Sequence, residues 1–219
     1  MIEVILCDDH ALIRRGIRDT LSDAVDMRVV GEAADYGELR ALMRQLPVSP
    51  GKAAVCDVLV LDINLPGRSG LDVLNALKEE ASPIKVLVVS MYPEDQYAIR
   101  ALRGGAFGYV NKGGNPQDLV QAVRTVAQGR KYVTPEIAQM LVESLTAPAT
   151  EHAHQLLSDR EMQTLVMIAS GKRLADIAEK LMLSPKTVSV YRARVLEKLQ
   201  MSNNSELTVY AIRNGLVGQ

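Results

Sequence analysis

The apolar positions of the first 130 residues fall into short unbroken runs. "VILC" (4–7), "MRVVGEA" (27–33), "VLVLDI" (58–63), "KVLVVS" (85–90) and "GYV" (108–110) are dense in Val, Ile and Leu, as strands buried on both faces are. Between them, apolar residues recur at helical spacing over 11–24, 36–46, 70–80, 95–103 and 116–128. Five strands alternating with five helices predict an open parallel sheet with helices on both faces, doubly wound through right-handed crossovers. Pro47, Pro50 and Gly51 interrupt any helix in "PVSPGKAAVC", which reads as a long loop over 47–56.

Beyond Val133 the pattern changes. "TPEIAQMLVESL" predicts one more helix, and "TAPATEHAHQ" (146–155) has no periodicity, the mark of a linker. His152 and His154 lie in it without a third ligand nearby, so they read as solvated linker residues rather than a metal site. The remainder is helical. In "LSDREMQTLVMIASG", Ser158 and Glu161 form a capping box and Gly171 ends the helix. "LADIAEKLML" is a second, short helix. "SPKTVSVYRARVLEKLQ" opens with Ser184 as N-cap and Pro185 at the first helical position. "NSELTVYAIRNGL" is a fourth, which completes a small bundle.

Composition separates the two halves further. The chain has 219 residues, 47% hydrophobic and 23% charged, with a net charge of -1. Residues 156–219 hold nine basic and six acidic side chains, a net +3 that leaves -4 for residues 1–155. An acidic front and a basic back imply two domains with different partners. Cys7 and Cys56 lack metal-ligand spacing and read as reduced core thiols. No apolar run approaches a membrane span, and the N-terminus lacks a secretion signal, so a cytoplasmic location without membrane contact is expected.

The strand ends carry the chemistry. In the strand order 2-1-3-4-5, ligands bind beyond the carboxyl ends of the strands near the point where the order reverses. Asp8 and Asp9 end the first strand and Asp62 the third, so three carboxylates converge on one crevice. Their repulsion calls for a cation, and hard oxygen ligands suit Mg²⁺ or Mn²⁺. Ser90 and Lys112 end the fourth and fifth strands. A metal ion, an ammonium and a hydroxyl are what a transferring phosphoryl group needs, and Asp62 becomes the nucleophile. Each of these residues alone reads as a turn or cap residue; the set at the ends of four alternating strands does not.

At these residues the sequence resembles the response-regulator receiver domain. "CDDH", "LVLDINLPGRSG", "VVS" and "GYVNK" match its acidic pair, phosphoacceptor, hydroxyl and lysine in order and spacing. The resemblance implies a flavodoxin-like (βα)5 fold over residues 1–130, with Mg²⁺ held by Asp8, Asp9, Asp62 and the backbone carbonyl of Asn64. It also implies phosphorylation of Asp62 by a histidine kinase and a switch pair, Ser90 and Tyr109, in which Tyr109 swings inward. Three features depart from the family pattern: Gly113 follows Lys112 where proline is common, Met91 stands where a small residue is common and would crowd the phosphoryl group, and the 47–56 loop is long. Residues 156–219 resemble the LuxR-type helix-turn-helix domain, a four-helix unit, joined through 131–155. Together the halves resemble the NarL/FixJ response regulators.

The nucleic-acid face can be argued from periodicity. Advancing about 100° per residue, Val188, Tyr191, Val195 and Leu199 form one apolar stripe. Lys186, Ser189, Val190, Ala193 and Glu197 fall opposite, with Arg192 and Arg194 flanking. That suits a helix in a major groove with cations at phosphates. The residues expected at duplex DNA are Lys172, Lys186, Thr187, Ser189, Val190, Arg192, Ala193 and Arg194. Ser189 stands where the family often has lysine, so base preference does not transfer. The last helix carries surplus apolar residues, a candidate surface for a homodimer formed on phosphorylation or on DNA.

Two other functional classes fit the sequence less well. An aspartate-nucleophile phosphatase of the haloacid dehalogenase type needs a second acid two residues after the nucleophile, where this chain has Asn64. An acyl-homoserine-lactone sensor would share the back domain but needs an aromatic-rich cavity in front, against 4% aromatic content. The expectation is therefore a regulator that catalyses only its own phosphorylation and dephosphorylation, not an enzyme acting on other substrates.

Overall fold

The computed structural model describes residues 1–48, 50–91, 94–146 and 153–217. The chain divides into two compact units, Met1–Leu145 and Thr146–Gln219. In the first, β1 (Ile2–Cys7), β2 (Met27–Ala33), β3 (Val58–Asp62), β4 (Lys85–Ser90) and β5 (Gly108–Asn111) form a parallel sheet of order β2-β1-β3-β4-β5. The crossovers are α1 (Ala11–Ser22), α2 (Tyr36–Gln45), α3 (Gly70–Glu79), α4 (Glu94–Gly104) and α5 (Pro116–Ala127). This is the flavodoxin-like (βα)5 arrangement.

Alternation along the strands explains the unbroken apolar runs. Val4, Leu6, Val58, Val60, Leu87 and Val89 pack under Leu21 of α1 and Leu119, Val123 and Val126 of α5. The intervening Ile5, Leu59, Leu61 and Val88 are buried as well, so both sheet faces are covered. Asp35, Ser69 and Asn115 cap α2, α3 and α5 through their side chains, which fixes where each crossover starts. A further helix, α6 (Pro135–Thr146), follows an isolated bridge between Gly108 and Tyr132.

The second unit contains α7 (Asp159–Ala169), α8 (Leu174–Leu181), α9 (Pro185–Lys198) and α10 (Asn204–Arg213). Ser158 and Glu161 form the expected capping box, and Gly171 takes a positive φ of 77° just past α7. Glu161 also pairs with Lys198 at 2.7 Å, which ties the start of α7 to the end of α9. Of the expected linker, residues 147–152, including His152, lie outside the described residues. His154 is not a solvated linker residue. It begins the bundle in a 3₁₀ turn, Ala153–Leu156, and its backbone N–H donates to the Tyr210 hydroxyl at 3.1 Å, with Nδ1 2.9 Å from the same oxygen. The reading of His154 failed because a tyrosine 56 positions away is invisible to local periodicity. Among the described residues no helix is long and apolar enough to cross a membrane.

Candidate functional site

Register assembles the crevice. Cys7 pairs with Leu61, Leu61 with Val88 and Val88 with Tyr109. One step further on stand Asp8 and Asp62, and two steps further on Ser90 pairs with Asn111, beside Lys112. Asp8 is 2% exposed, Asp62 1% and Ser90 0%. Lys112 Nζ lies 2.7 Å from Asp8 Oδ2 and 2.8 Å from Asp62 Oδ2. The backbone N–H of Lys112 donates to the Ser90 carbonyl at 2.8 Å, which holds the stem of the ammonium against β4. Asp9 is more open, and its Oδ1 lies 2.5 Å from His10 Nδ1.

The charges do not balance. Burial pushes the Asp62 carboxyl above its ordinary pKa, Lys112 pulls it back, Asp8 pushes it up again, and a hydrogen bond from the Asn64 backbone lowers it slightly. Asp62 Oδ1 is buried with no side-chain hydrogen-bond donor among the described residues. A buried carboxylate oxygen without a donor is costly unless a cation reaches it. The ligand atoms of Asp8, Asp9, His10 and Asp62 all lie within 4.8 Å of one another. The carboxylate oxygens of this set fit a hard divalent ion.

The loop behind Asp62 is shaped by two glycines. Gly67 has φ of 70°, a left-handed conformation that suits a residue without Cβ. A Cβ at Gly70 would stand 1.9 Å from the Asp62 carbonyl oxygen. Only glycine lets α3 begin this close to the strand end, with the Gly70 N–H donating to the Ile63 carbonyl at 2.8 Å.

In the second unit, α9 buries Val188, Val195 and Leu199. Lys186, Ser189, Ala193, Arg194 and Glu197 are exposed, Val190 is 43% exposed, and Lys172 is exposed on the turn after α7. Thr187 is half-buried, its hydroxyl 2.8 Å from that of the N-cap Ser184. Arg192 is half-buried too. Its Nε donates to Asn204 Oδ1 at 2.6 Å, which binds it to the start of α10 beside the apolar stripe.

The comparisons with known proteins agree with this geometry. Residues 4–124 match the response regulator receiver domain, and 155–211 match the bacterial regulatory proteins of the luxR family. The chain is 39% identical over 217 residues to the response regulator GacA of Pseudomonas protegens, covering 99% of this chain and 98% of that one. It is 37% identical to the response regulator UvrY of Escherichia coli K12, covering 99% and 96%. The chain belongs to the two-component response regulators of the NarL/FixJ type. Among solved structures it is similar to RcsB of Salmonella enterica serovar Typhimurium bound to promoter rprA with the phosphomimetic BeF3-. There the TM-score is 0.63 at 27% identity, over 95% of this chain and 97% of that one. The receiver domain of the NarL regulator from Mycobacterium tuberculosis matches 59% of this chain and 98% of its own, at 34% identity and a TM-score of 0.51.

As a response regulator the chain has some particulars. Tyr109 is already inside, with no exposed surface, so an inward swing is not needed to bury it. Met91 stands 59% exposed. Asn64 is half-buried on the loop after β3. Sequence reasoning passed over His10, Gly67, Gly70 and Asn204. His10 was visible in "CDDH", directly beside the acidic pair; the close approach at Gly70 was not, because it depends on a backbone eight residues away.

Proposed function

We propose that Asp62 accepts a phosphoryl group from a phosphohistidine of a sensor kinase, and that this controls DNA binding by the second unit. The observation that carries the reading is Lys112 Nζ bridging Asp8 and Asp62 at 2.7 and 2.8 Å inside a buried, acid-rich crevice. An Asp62 carboxylate oxygen attacks phosphorus as the bond from phosphorus to the donor imidazole breaks, and the imidazole nitrogen leaves with the electron pair. The Lys112 ammonium takes one phosphoryl oxygen and the Ser90 hydroxyl donates to another. Asp8, Asp9, Asp62 and the carbonyl of Asn64 hold Mg²⁺ or Mn²⁺, which when bound supplies positive charge to the incoming oxygens. Ser90 and Tyr109 relay the change, and the chain catalyses only its own phosphorylation and dephosphorylation.

At the duplex, Lys186, Ser189, Val190 and Ala193 face base edges, while Lys172, Thr187, Arg192 and Arg194 contact phosphates. Arg192 gives up its bond to Asn204 or shares it. Two copies on one operator raise each other's effective concentration, so a phosphorylated homodimer binds on the order of 10² more tightly than a monomer. The regulator does this in the cytoplasm. Incubation with a small phosphodonor and Mg²⁺, read by intact mass, is expected to add one phosphoryl group to wild type and none to Asp62→Ala. Mg²⁺-dependent labelling that persists in Asp62→Ala overturns the assignment, and sedimentation of the two forms on DNA decides the dimer.

A further inference from the structure

We propose that His10 is a metal ligand, and that it makes the acidic site prefer first-row transition dications over Mg²⁺. The inference rests on the reading of the acidic crevice as a cation site and adds the residue that sets its selectivity. His10 is the N-cap of α1, but its side chain makes no capping hydrogen bond. The ring is directed to the carboxylates instead, with Nδ1 2.5 Å from Asp9 Oδ1 and 3.7 Å from Asp8 Oδ1. Its backbone N–H donates to Asp8 Oδ1 at 2.8 Å, which fixes the residue beside the acid pair.

The donors are grouped closely enough for one ion to gather them once the 2.5 Å hydrogen bond between His10 Nδ1 and Asp9 Oδ1 opens. Ligands about 2.1 Å from a metal lie about 3 Å apart when adjacent and about 4.2 Å apart when opposite. The four donor atoms from Asp8, Asp9, His10 and Asp62 lie within 4.8 Å of one another. Asp62 Oδ1 is buried beyond any side-chain hydrogen-bond donor among the described residues, which leaves it open to a cation. An all-oxygen site gives Mg²⁺ its best chance, because Mg²⁺ takes oxygen and keeps its waters. An imidazole nitrogen favours Mn²⁺, Co²⁺ and Zn²⁺ in increasing measure. The ring is 56% exposed, so it can turn toward an ion without disturbing the core.

If His10 were only a charge partner of Asp9, its removal would act alike on every dication. A ligand acts on the ratio. Calorimetric titration of the full chain with Co²⁺ and with Mg²⁺ separates the two. Wild type is expected to bind Co²⁺ about tenfold or more tightly than Mg²⁺, and His10→Asn to lose about tenfold for Co²⁺ while Mg²⁺ stays within about twofold. His10→Gln is the second variant, and on adding Zn²⁺ but not Mg²⁺ the ring-nitrogen resonance that His10→Asn removes is expected to shift. An unchanged ratio of Co²⁺ to Mg²⁺ affinity in both variants overturns the proposal. So does Co²⁺ binding that survives Asp8→Asn, since the ion is then held elsewhere. Failure of wild type to bind either ion would instead bring down the cation-site reading itself.

Discussion

Glu3 and Asp57 stand where β1 and β3 begin, Asp8 and Asp62 where they end, and each pair of carboxylates meets a lysine. At the beginning, Glu3 and Asp57 exchange backbone contacts: the Glu3 N–H donates to Asp57 Oδ2 at 2.8 Å, and the Asp57 N–H to the Glu3 carbonyl at 2.8 Å. Lys52 Nζ lies 2.8 Å from Glu3 Oε2 and also contacts Asp57, while Arg28 Nη2 lies 2.6 Å from Glu3 Oε1. Two carboxylates meet two cations. Burial works against the Lys52 charge, but Asp57 and Glu3 together hold its pKa above the ordinary value. At the other end, Asp8, Asp9 and Asp62 share Lys112 and the neighbouring His10, and Asp62 Oδ1 is left over. The same residue types make a balanced clasp at one end and a surplus of carboxylate at the other. A buried carboxylate is a candidate for function when its oxygens outnumber the cations that the chain supplies.

Removing each lysine is the strongest way to break this comparison. Lys112→Ala leaves Asp8 and Asp62 buried together without a cation, and is expected to cost about 3 kcal/mol in metal-free buffer. Millimolar Mg²⁺ should recover much of that loss, because the ion binds only the folded state. Lys52→Ala leaves Glu3 with Arg28 and should cost about 2 kcal/mol, since Lys52 is partly exposed. Mg²⁺ should restore nothing there, and phosphoryl uptake should persist. Urea unfolding of the full chain with and without Mg²⁺ reads both. Equal Mg²⁺ rescue of the two variants would erase the distinction between clasp and site.

The two ends also differ in how far the sequence reveals them. Asp8, Asp9, Asp62, Ser90 and Lys112 each sit at a strand end, and a parallel sheet of known order brings strand ends together by construction. Periodicity places every strand and helix of the first unit, and with the strand order 2-1-3-4-5 it brings these residues to one candidate crevice. The Glu3 clasp escapes that reasoning. Lys52 lies in the 47–56 loop, where no periodicity places it, and Glu3 occupies an apolar run where alternation gives no warning. Gly70 and the His154–Tyr210 contact escape for the same reason: each is set by an approach between segments that no local pattern encodes. On α9 the apolar stripe was legible, but the bond from Arg192 to Asn204 needed the position of α10.

Asp62→Asn sharpens the comparison through pH. Burial raises the folded-state pKa of Asp62 above that of the unfolded chain, so the folded state holds this proton more firmly. The stability this contributes is present below the unfolded pKa and is lost as pH rises through the raised folded value. Wild type and Asp62→Asn should therefore match most closely in acid. Toward neutral pH in metal-free buffer, Asp62→Asn should become the more stable. Thermal unfolding across pH checks the sign. A gap that narrows as pH rises would mean that Lys112 outweighs burial at this carboxylate.

The smallest effect on stability, and the finest test of the comparison, belongs to Asp9. Its side chain is 33% exposed and faces the 56% exposed His10. Solvent screens such a pair, so Asp9→Asn should move stability by less than about 0.5 kcal/mol. Its effect on Mg²⁺ should be far larger, about tenfold in affinity, because the ion loses one negatively charged oxygen from a small set. Asp57→Asn is the matched change at the other end, where the side chain is 25% exposed. There the order reverses: it weakens the hold on Lys52, costs about 1 kcal/mol, and leaves Mg²⁺ affinity where it was. Calorimetric Mg²⁺ titration and urea unfolding of both variants give four numbers. The comparison holds only if the large ones fall on opposite measurements, metal affinity for Asp9 and stability for Asp57.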